Sequence, residues 1–64
     1  MKEKPYNVVL SIRDKQMKKT FQEVAQVSGE TEEEARIMAI FLAQEIWNTN
    51  IYEISVVSCK VREV

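Results

Sequence analysis

Histidine is absent from this 64-residue chain, and cysteine, glycine and proline occur once each, as Cys59, Gly29 and Pro5. A single cysteine allows no internal disulfide, and without histidine the chain lacks any cysteine–histidine spacing that binds zinc. The longest apolar run, 37–43, is far too short to span a bilayer. These absences exclude a disulfide scaffold and a zinc finger. They favour a cytoplasmic protein with no cofactor and no membrane partner.

The composition is that of a folded domain, with 45% apolar residues, 30% charged residues and a net charge of −1. We expect one domain over 1–64, with 1–5 as a loose lead-in. A chain this short buries only roughly 60% of its unfolded surface. Small domains therefore gain stability from disulfides, metals or association. Because the chain shows no sign of the first two, association is the expected source.

Alternation of apolar and polar residues predicts three strands. The first covers 6–13, with Tyr6 at the start of its apolar side. The second is expected over about 17–27, with a β-bulge near Glu23 to reconcile an irregular pattern. Gly29 follows it and is predicted to take a backbone angle that other residues avoid. The third strand is expected over about 51–61.

A helix start is the strongest local signal. Thr31 and Glu34 have the spacing of a capping box, in which each side chain bonds the backbone N–H of the other residue. The three glutamates 32–34 also oppose the positive end of the helix dipole. The predicted helix runs to about Trp47. The order is β-β-α-β, so we expect a small α+β domain with a three-stranded antiparallel sheet, order 2-1-3, and one helix packed on one face.

The predicted helix carries more apolar residues than one face can bury. One stripe is assigned to the core, and the opposite side should then be polar. That side also holds large apolar residues, which favours a protein interface. In the alternative interpretation, Phe41 and Trp47 wrap around the sheet edges. The core stripe consists of Ala35, Met38, Ala39, Leu42 and Ile46, and the predicted interface of Ile37, Ile40, Phe41, Gln44 and Trp47.

Three further surfaces are candidates. A possible acidic contact patch, Glu30, Glu32 and Glu33, lies at the helix start, where capping also explains it. A possible nucleic-acid contact, the alternative function, is a basic group near the hairpin turn, with Phe21 and Tyr6 available for stacking. The open sheet face is expected to carry apolar residues that could pair two sheets. The basic group is Arg13, Lys15, Lys18 and Lys19, and the open-face set is Val9, Val57, Cys59 and Val61.

Catalysis is not expected. The carboxylates cluster at an exposed helix start rather than in a cleft, and Cys59 has no histidine to activate it. The hairpin, the stretch 28–35 and the closing strand are similar in order to small phage inhibitors of uracil-DNA glycosylase and to one archaeal ribosomal protein family. The likeness to the phage inhibitors, which are dimeric DNA mimics, implies a phage or mobile-element accessory protein.

The expected function is therefore that of a small non-catalytic protein-binding module, a homodimer, that inhibits or modulates a host protein by occupying its surface. Its partners would be a second copy of itself, a host protein, or both. Nucleic-acid binding through the basic hairpin is the alternative function.

Overall fold

The computed structural model describes residues 2–62 and has the expected architecture. The elements are β1 (Lys4–Asp14), β2 (Thr20–Gly29), α1 (Glu32–Ile46) and β3 (Tyr52–Val61). The sheet order is β2-β1-β3, and both pairings are antiparallel. The predicted α+β class and strand order are confirmed. β1 begins before the predicted start, so Lys4 and Pro5 pair with β2 instead of forming a lead-in. β2 begins at Thr20, three residues later than expected.

The core lies between the helix and the central strand. Tyr6, Val8, Leu10 and Ile12 of β1 are all buried, because a central strand is covered on both edges and here by a helix on one face. The helix buries only small side chains, Ala35, Ala39 and Ala43. Alanines at i, i+4 and i+8 let the helix backbone approach the sheet closely. The buried face of α1 is therefore this alanine row.

The predicted core stripe of α1 is wrong at three of its five positions. Met38, Leu42 and Ile46 are 48%, 43% and 74% exposed. Because the alanine row contacts β1, the stripe that was expected to be buried is turned toward β2 and lies partly in solvent. Ile40 and Trp47, from the other flank of the helix, pack against the core instead.

The β-bulge lies in β3 and not in β2. β1 and β2 pair without interruption over ten residues, so the bulge predicted near Glu23 is absent from the structure. In the β1–β3 pairing, Val9 faces Ser58 while Leu10 faces Val56, which leaves Val57 without a partner. An extra residue in one strand reverses the alternation beyond it.

This bulge corrects the predicted open face. Cys59 and Val61 pair with Val8 and Tyr6, so they lie on the helix side of the sheet, and Cys59 packs against the core. Val57, the unpaired residue of the bulge, is exposed, and Val9 lies on the open side.

Gly29 is needed for space, not for backbone conformation. Its φ is not positive, so the prediction of an unusual angle is wrong. A Cβ at this position would lie 3.2 Å from the backbone nitrogen of Ala35 and 3.3 Å from the carbonyl oxygen of Thr31. The end of β2 therefore passes very close to the first turn of α1. Among the described residues the left-handed conformation belongs to Lys18, with φ 55° in the hairpin turn.

Hydrogen bonds at the predicted boundaries explain why these elements begin and end where they do. The carboxylate of Asp14 accepts from the backbone N–H groups of Gln16 and Met17 at 2.9 and 3.1 Å, which forms the hairpin turn in place of an Asn-Gly pair. The Thr31 hydroxyl accepts from the Glu34 N–H at 3.2 Å, confirming the predicted N-cap. The hydrogen bonds of residues 2–62 include no return bond from the Thr31 N–H to the Glu34 carboxylate.

Candidate protein-binding surface

The helix presents two exposed apolar strips that meet along its length. Ile37 and Phe41, 48% and 59% exposed, lie on the side of α1 opposite the alanine row, with Gln44 one turn further on. We call Ile37, Phe41 and Gln44 the outer face. Met38, Leu42 and Ile46 form the second strip, called here the β2 side. Three of the five predicted interface residues, those of the outer face, are thus exposed together.

The other two predicted interface residues are structural. Ile40 is half-buried and packs against the core, as does Trp47. The Trp47 ring lies 5.0 Å from that of Phe21 and 4.9 Å from that of Tyr52, between the two outer strands. The edge-wrapping interpretation therefore holds for Trp47 but not for Phe41, which projects into solvent.

A groove of about 270 Å³ separates the β2 side of α1 from strand β2. Its floor is the buried Leu10, and Leu42 and Ile46 form part of its wall. Ala25 on the strand and the helix alanines are too short to fill the space. Glu23 and Glu45 stand at its rim, and neither takes part in an ion pair among residues 2–62. The groove is an apolar hollow open to solvent.

Sequence reasoning placed Met38, Leu42 and Ile46 in the core and did not consider Val24 as part of a surface. Val24 lies on the open side of the sheet, directly opposite Val9. The signal that could have found this arrangement is the alanine triplet at i, i+4 and i+8, because a row of small residues marks the line of closest helix approach. The large residues Met38, Leu42 and Ile46 beside this row then remain 43–74% exposed.

The possible acidic contact patch is exposed, and one of its members has a local role. Glu30, Glu32 and Glu33 all lie at the start of α1. The Glu32 carboxylate pairs with Arg36 at 3.3 Å, one helical turn away, and both side chains are about half exposed. Exposed pairs at this spacing stabilise a helix by about 0.3–0.5 kcal/mol. Helix stability thus accounts for part of the patch.

Cys59 lies beneath the same helix start. Its thiol donates a weak bond to the backbone oxygen of Glu32 at 3.7 Å. Burial raises the pKa of the Cys59 thiol above its usual value, the Glu32 carboxylate raises it further, and Arg36 acts in the opposite direction. A raised pKa lowers the thiolate fraction, so the thiol is a poor nucleophile near neutral pH.

The basic group gathers at the opposite end of the sheet. Arg13, Lys15, Lys18 and Lys19 are exposed in and beside the hairpin turn. The Lys15 ammonium donates to the carbonyl of Thr49 at 3.1 Å, tying the hairpin to the loop before β3. Of the two aromatic residues considered for base stacking, Tyr6 is 4% exposed and therefore not accessible to a base. Phe21 is 38% exposed and packs against the ring of Trp47 on one side.

Comparison with protein-family models, curated proteins and solved structures gave no match. The similarity to the phage inhibitors is therefore one of element order alone. Within residues 2–62 no helix has the length and apolar character needed to cross a membrane. The same residues contain no cluster of three or more acidic or cysteine side chains placed to hold a metal ion. The feature of these residues that bears most on function is thus the exposed apolar surface of α1.

Proposed function

We propose that this domain is a non-catalytic protein-binding module of the cytoplasm that acts by occupying the surface of a partner protein. The observation that carries the proposal is the outer face. Ile37 and Phe41 stay about half exposed, although α1 already buries a complete alanine row. Exposed apolar side chains that form a contiguous patch usually mark a binding site.

The spacing of the outer face indicates how it binds. Residues 37, 41 and 44 are at i, i+4 and i+7, the spacing with which a helix inserts its anchors into a groove of another protein. Phe41 supplies a rigid aromatic anchor, and the Gln44 amide can donate and accept at the rim. Occupying a groove in this way blocks whatever the partner normally binds there. Such blocking is how an accessory protein of a phage or mobile element would inhibit or modulate a host protein.

The experiment is affinity capture from a nuclease-treated lysate of the host cells, comparing wild type with Phe41→Glu. Met17→Glu is the matched control, because Met17 is 64% exposed but lies in the hairpin turn. A protein captured by wild type and by Met17→Glu, and lost with Phe41→Glu, supports the proposal. Equal capture by all three proteins contradicts it. Ile40→Glu is unsuitable because Ile40 packs against the core.

Nucleic-acid binding remains a second candidate, favoured by the exposure of the four basic side chains at one end of the sheet. It requires affinity for a labelled duplex or single strand that falls steeply with added salt, because phosphate contacts release counterions. Lys18→Gln combined with Lys19→Gln should weaken binding and reduce that salt dependence. Absence of binding at low salt removes this candidate.

A further inference from the structure

The β2 side of α1 has the apolar composition of a helix face that packs in a core, yet it is exposed to solvent. Met38, Leu42 and Ile46 recur at i, i+4 and i+8, and Leu42 and Ile46 line the groove above Leu10. An apolar cavity of about 150 Å³ holds a benzene molecule, so this groove of about 270 Å³ has room for a large side chain. It falls below the roughly 300–1,000 Å³ of typical small-molecule sites. The dimensions suit side chains from another protein surface.

Strand β2 provides a free edge beside this groove. It pairs regularly with β1 over ten residues and presents its other edge to solvent. Edge strands are normally protected by prolines, bulges or inward-pointing charges. β3 has its bulge at Val57, whereas β2 has neither a bulge nor a proline. Its protection is limited to Glu23, which lies on the helix side of the sheet.

We propose that two copies of this chain associate through their β2 edges, antiparallel about a two-fold axis near Val24, forming one six-stranded sheet. Both helices then lie on the same face, and Met38, Leu42 and Ile46 of each helix cover the groove of the other copy. Two-fold pairing is the commonest form of self-association and needs a patch complementary to itself. The β2 edge and the β2 side of α1 together form such a patch.

The spacing of the strands and the resulting distance between the two helices agree with this dimer. Neighbouring strands lie about 4.8 Å apart, so the two β1 strands, separated by two β2 strands, are about 14 Å apart. Each helix lies over β1, through its alanine row. A separation near 14 Å exceeds the 8–10 Å of closely packed helices. Large side chains from both helices are needed to fill a separation of this size, and alanines are too short. The β2 side of α1 carries such large side chains.

The buried area is also sufficient. At roughly 150–200 Å² for a fully exposed large apolar side chain, the exposed fractions of Met38, Leu42, Ile46 and Val24 amount to roughly 350–450 Å² per copy. Two copies have up to twice that area to bury, and the paired strand edges add backbone area, so the total can reach the roughly 1,000 Å² expected of a specific interface. The dimer also supplies the association that a core of this size requires.

The position of Glu23 determines the register in which the two β2 strands pair. Two antiparallel strands related by a two-fold axis place a residue opposite its own copy at the centre. With Val24 at the centre, Val24 faces Val24 of the second copy, and Glu23 faces Ala25. A shift of one residue would place Glu23 opposite Glu23, and like charges directly opposite each other are destabilising. The same register extends the open-face apolar row formed by Val24 and Val9.

The outer face stays accessible in this dimer, since Ile37 and Phe41 point away from the sheet. The dimer and the partner-binding function therefore depend on different residues, and either can fail without the other. The dimer would present two outer faces on one side of the molecule.

The test is mass by sedimentation equilibrium over a range of protein concentrations, for wild type and two matched pairs of variants. Val24→Lys should abolish dimerisation, and Val57→Lys, at a similarly exposed valine on the opposite edge, should not. Ile46→Glu should abolish it, and Ile37→Glu on the outer face should not. Circular dichroism verifies that each variant is folded. Wild type should have twice the mass of the 7.5 kDa chain.

A crosslink tests the register directly. In a Cys59→Ser background, Val24→Cys should form a disulfide-linked dimer under mild oxidation, because directly opposed antiparallel residues have Cα atoms about 4.5–5.5 Å apart, within the roughly 4.4–6.8 Å that a disulfide spans. Val57→Cys in the same background should not. A monomeric wild type overturns the proposal. So does a dimer that survives both Val24→Lys and Ile46→Glu, or one that is lost only with Ile37→Glu.

Discussion

The indole ring of Trp47 lies 4.9 Å from the ring of Tyr52, and the two planes meet at 73°. Trp47 is the C-cap residue of α1, and Tyr52 is the first residue of β3. On its other side the indole packs against Phe21 at 5.0 Å. One aromatic residue thus joins the end of the helix to both outer strands. Edge-to-face aromatic pairs contribute about 0.5–1.5 kcal/mol beyond area burial.

Trp47→Ala should therefore destabilise the fold substantially. Truncating a fully buried tryptophan costs about 3–5 kcal/mol, and because Trp47 is only half-buried we expect about 2–4 kcal/mol in the free energy of unfolding. Urea unfolding followed by circular dichroism, at one fixed protein concentration, measures this loss. Phe41→Ala is the control and should change stability by less than about 1 kcal/mol, since Phe41 is exposed. Equal losses in the two variants would contradict the role given to Trp47.

Gly29→Ala should lower the free energy of unfolding by about 1 kcal/mol, because the new methyl group meets backbone atoms of Ala35 and Thr31 that cannot turn away. Ser28→Ala, at an exposed neighbour, serves as the control. Gly29→Asn distinguishes two reasons for glycine at this position, a left-handed backbone conformation and a lack of space for a side chain. A left-handed position would tolerate asparagine better than alanine, whereas a shortage of space makes asparagine at least as harmful. Thermal unfolding of the three variants gives the answer.

Lys18→Gly should stabilise the hairpin. Lys18 holds φ at 55°, a conformation that costs a residue with a Cβ about 1–2 kcal/mol and costs glycine almost nothing. Because glycine also loses more freedom on folding, we expect a net gain of about 0.5–1 kcal/mol. Lys19→Gly should give no gain, since the φ of Lys19 is not positive. Denaturant midpoints compare the two variants, and a gain with both or with neither would refute the explanation.

Alkylation of Cys59 should depend on pH in a way that reports its surroundings. Iodoacetamide reacts with the thiolate, so the raised pKa of Cys59 moves the rate profile to higher pH than that of a free cysteine. Glu32→Gln removes a negative charge that raises this pKa and frees Arg36, which lowers it, so the profile should move to lower pH. Glu33→Gln is the control. A profile that is unchanged by Glu32→Gln would contradict the contribution of the Glu32 charge to the pKa of Cys59.

Local sequence predicted the helix start, because the Thr31 hydroxyl and the Glu34 N–H are three residues apart and need no distant partner. The alternation from Tyr6 to Ile12 likewise predicted a strand with one buried face, and the structure buries all four apolar residues of that face. Strand order followed from the short hairpin and the single helical crossover, which leave few alternatives.

The side of α1 that faces the sheet was not predictable in the same way. The stripe containing Met38, Leu42 and Ile46 and the stripe containing Ile37 and Phe41 are both apolar, so periodicity favours neither. The packing distance decided between them: the alanine row lets the helix approach β1, and the larger residues then fall outside the contact. The sequence placed five residues in an exposed interface. The structure exposes three of them, Ile37, Phe41 and Gln44, whereas Ile40 and Trp47 pack against the core.

The sequence by itself determined the order of the elements, the helix cap and the buried face of β1, because these depend on neighbours along the chain. The tertiary structure alone decided which strand carries the bulge and where Cys59 and Val61 point. It also decided which apolar residues of α1 remain exposed. Those features depend on the distance between α1 and the sheet and on the register of β3 against β1, and neither is encoded in the periodicity of one segment.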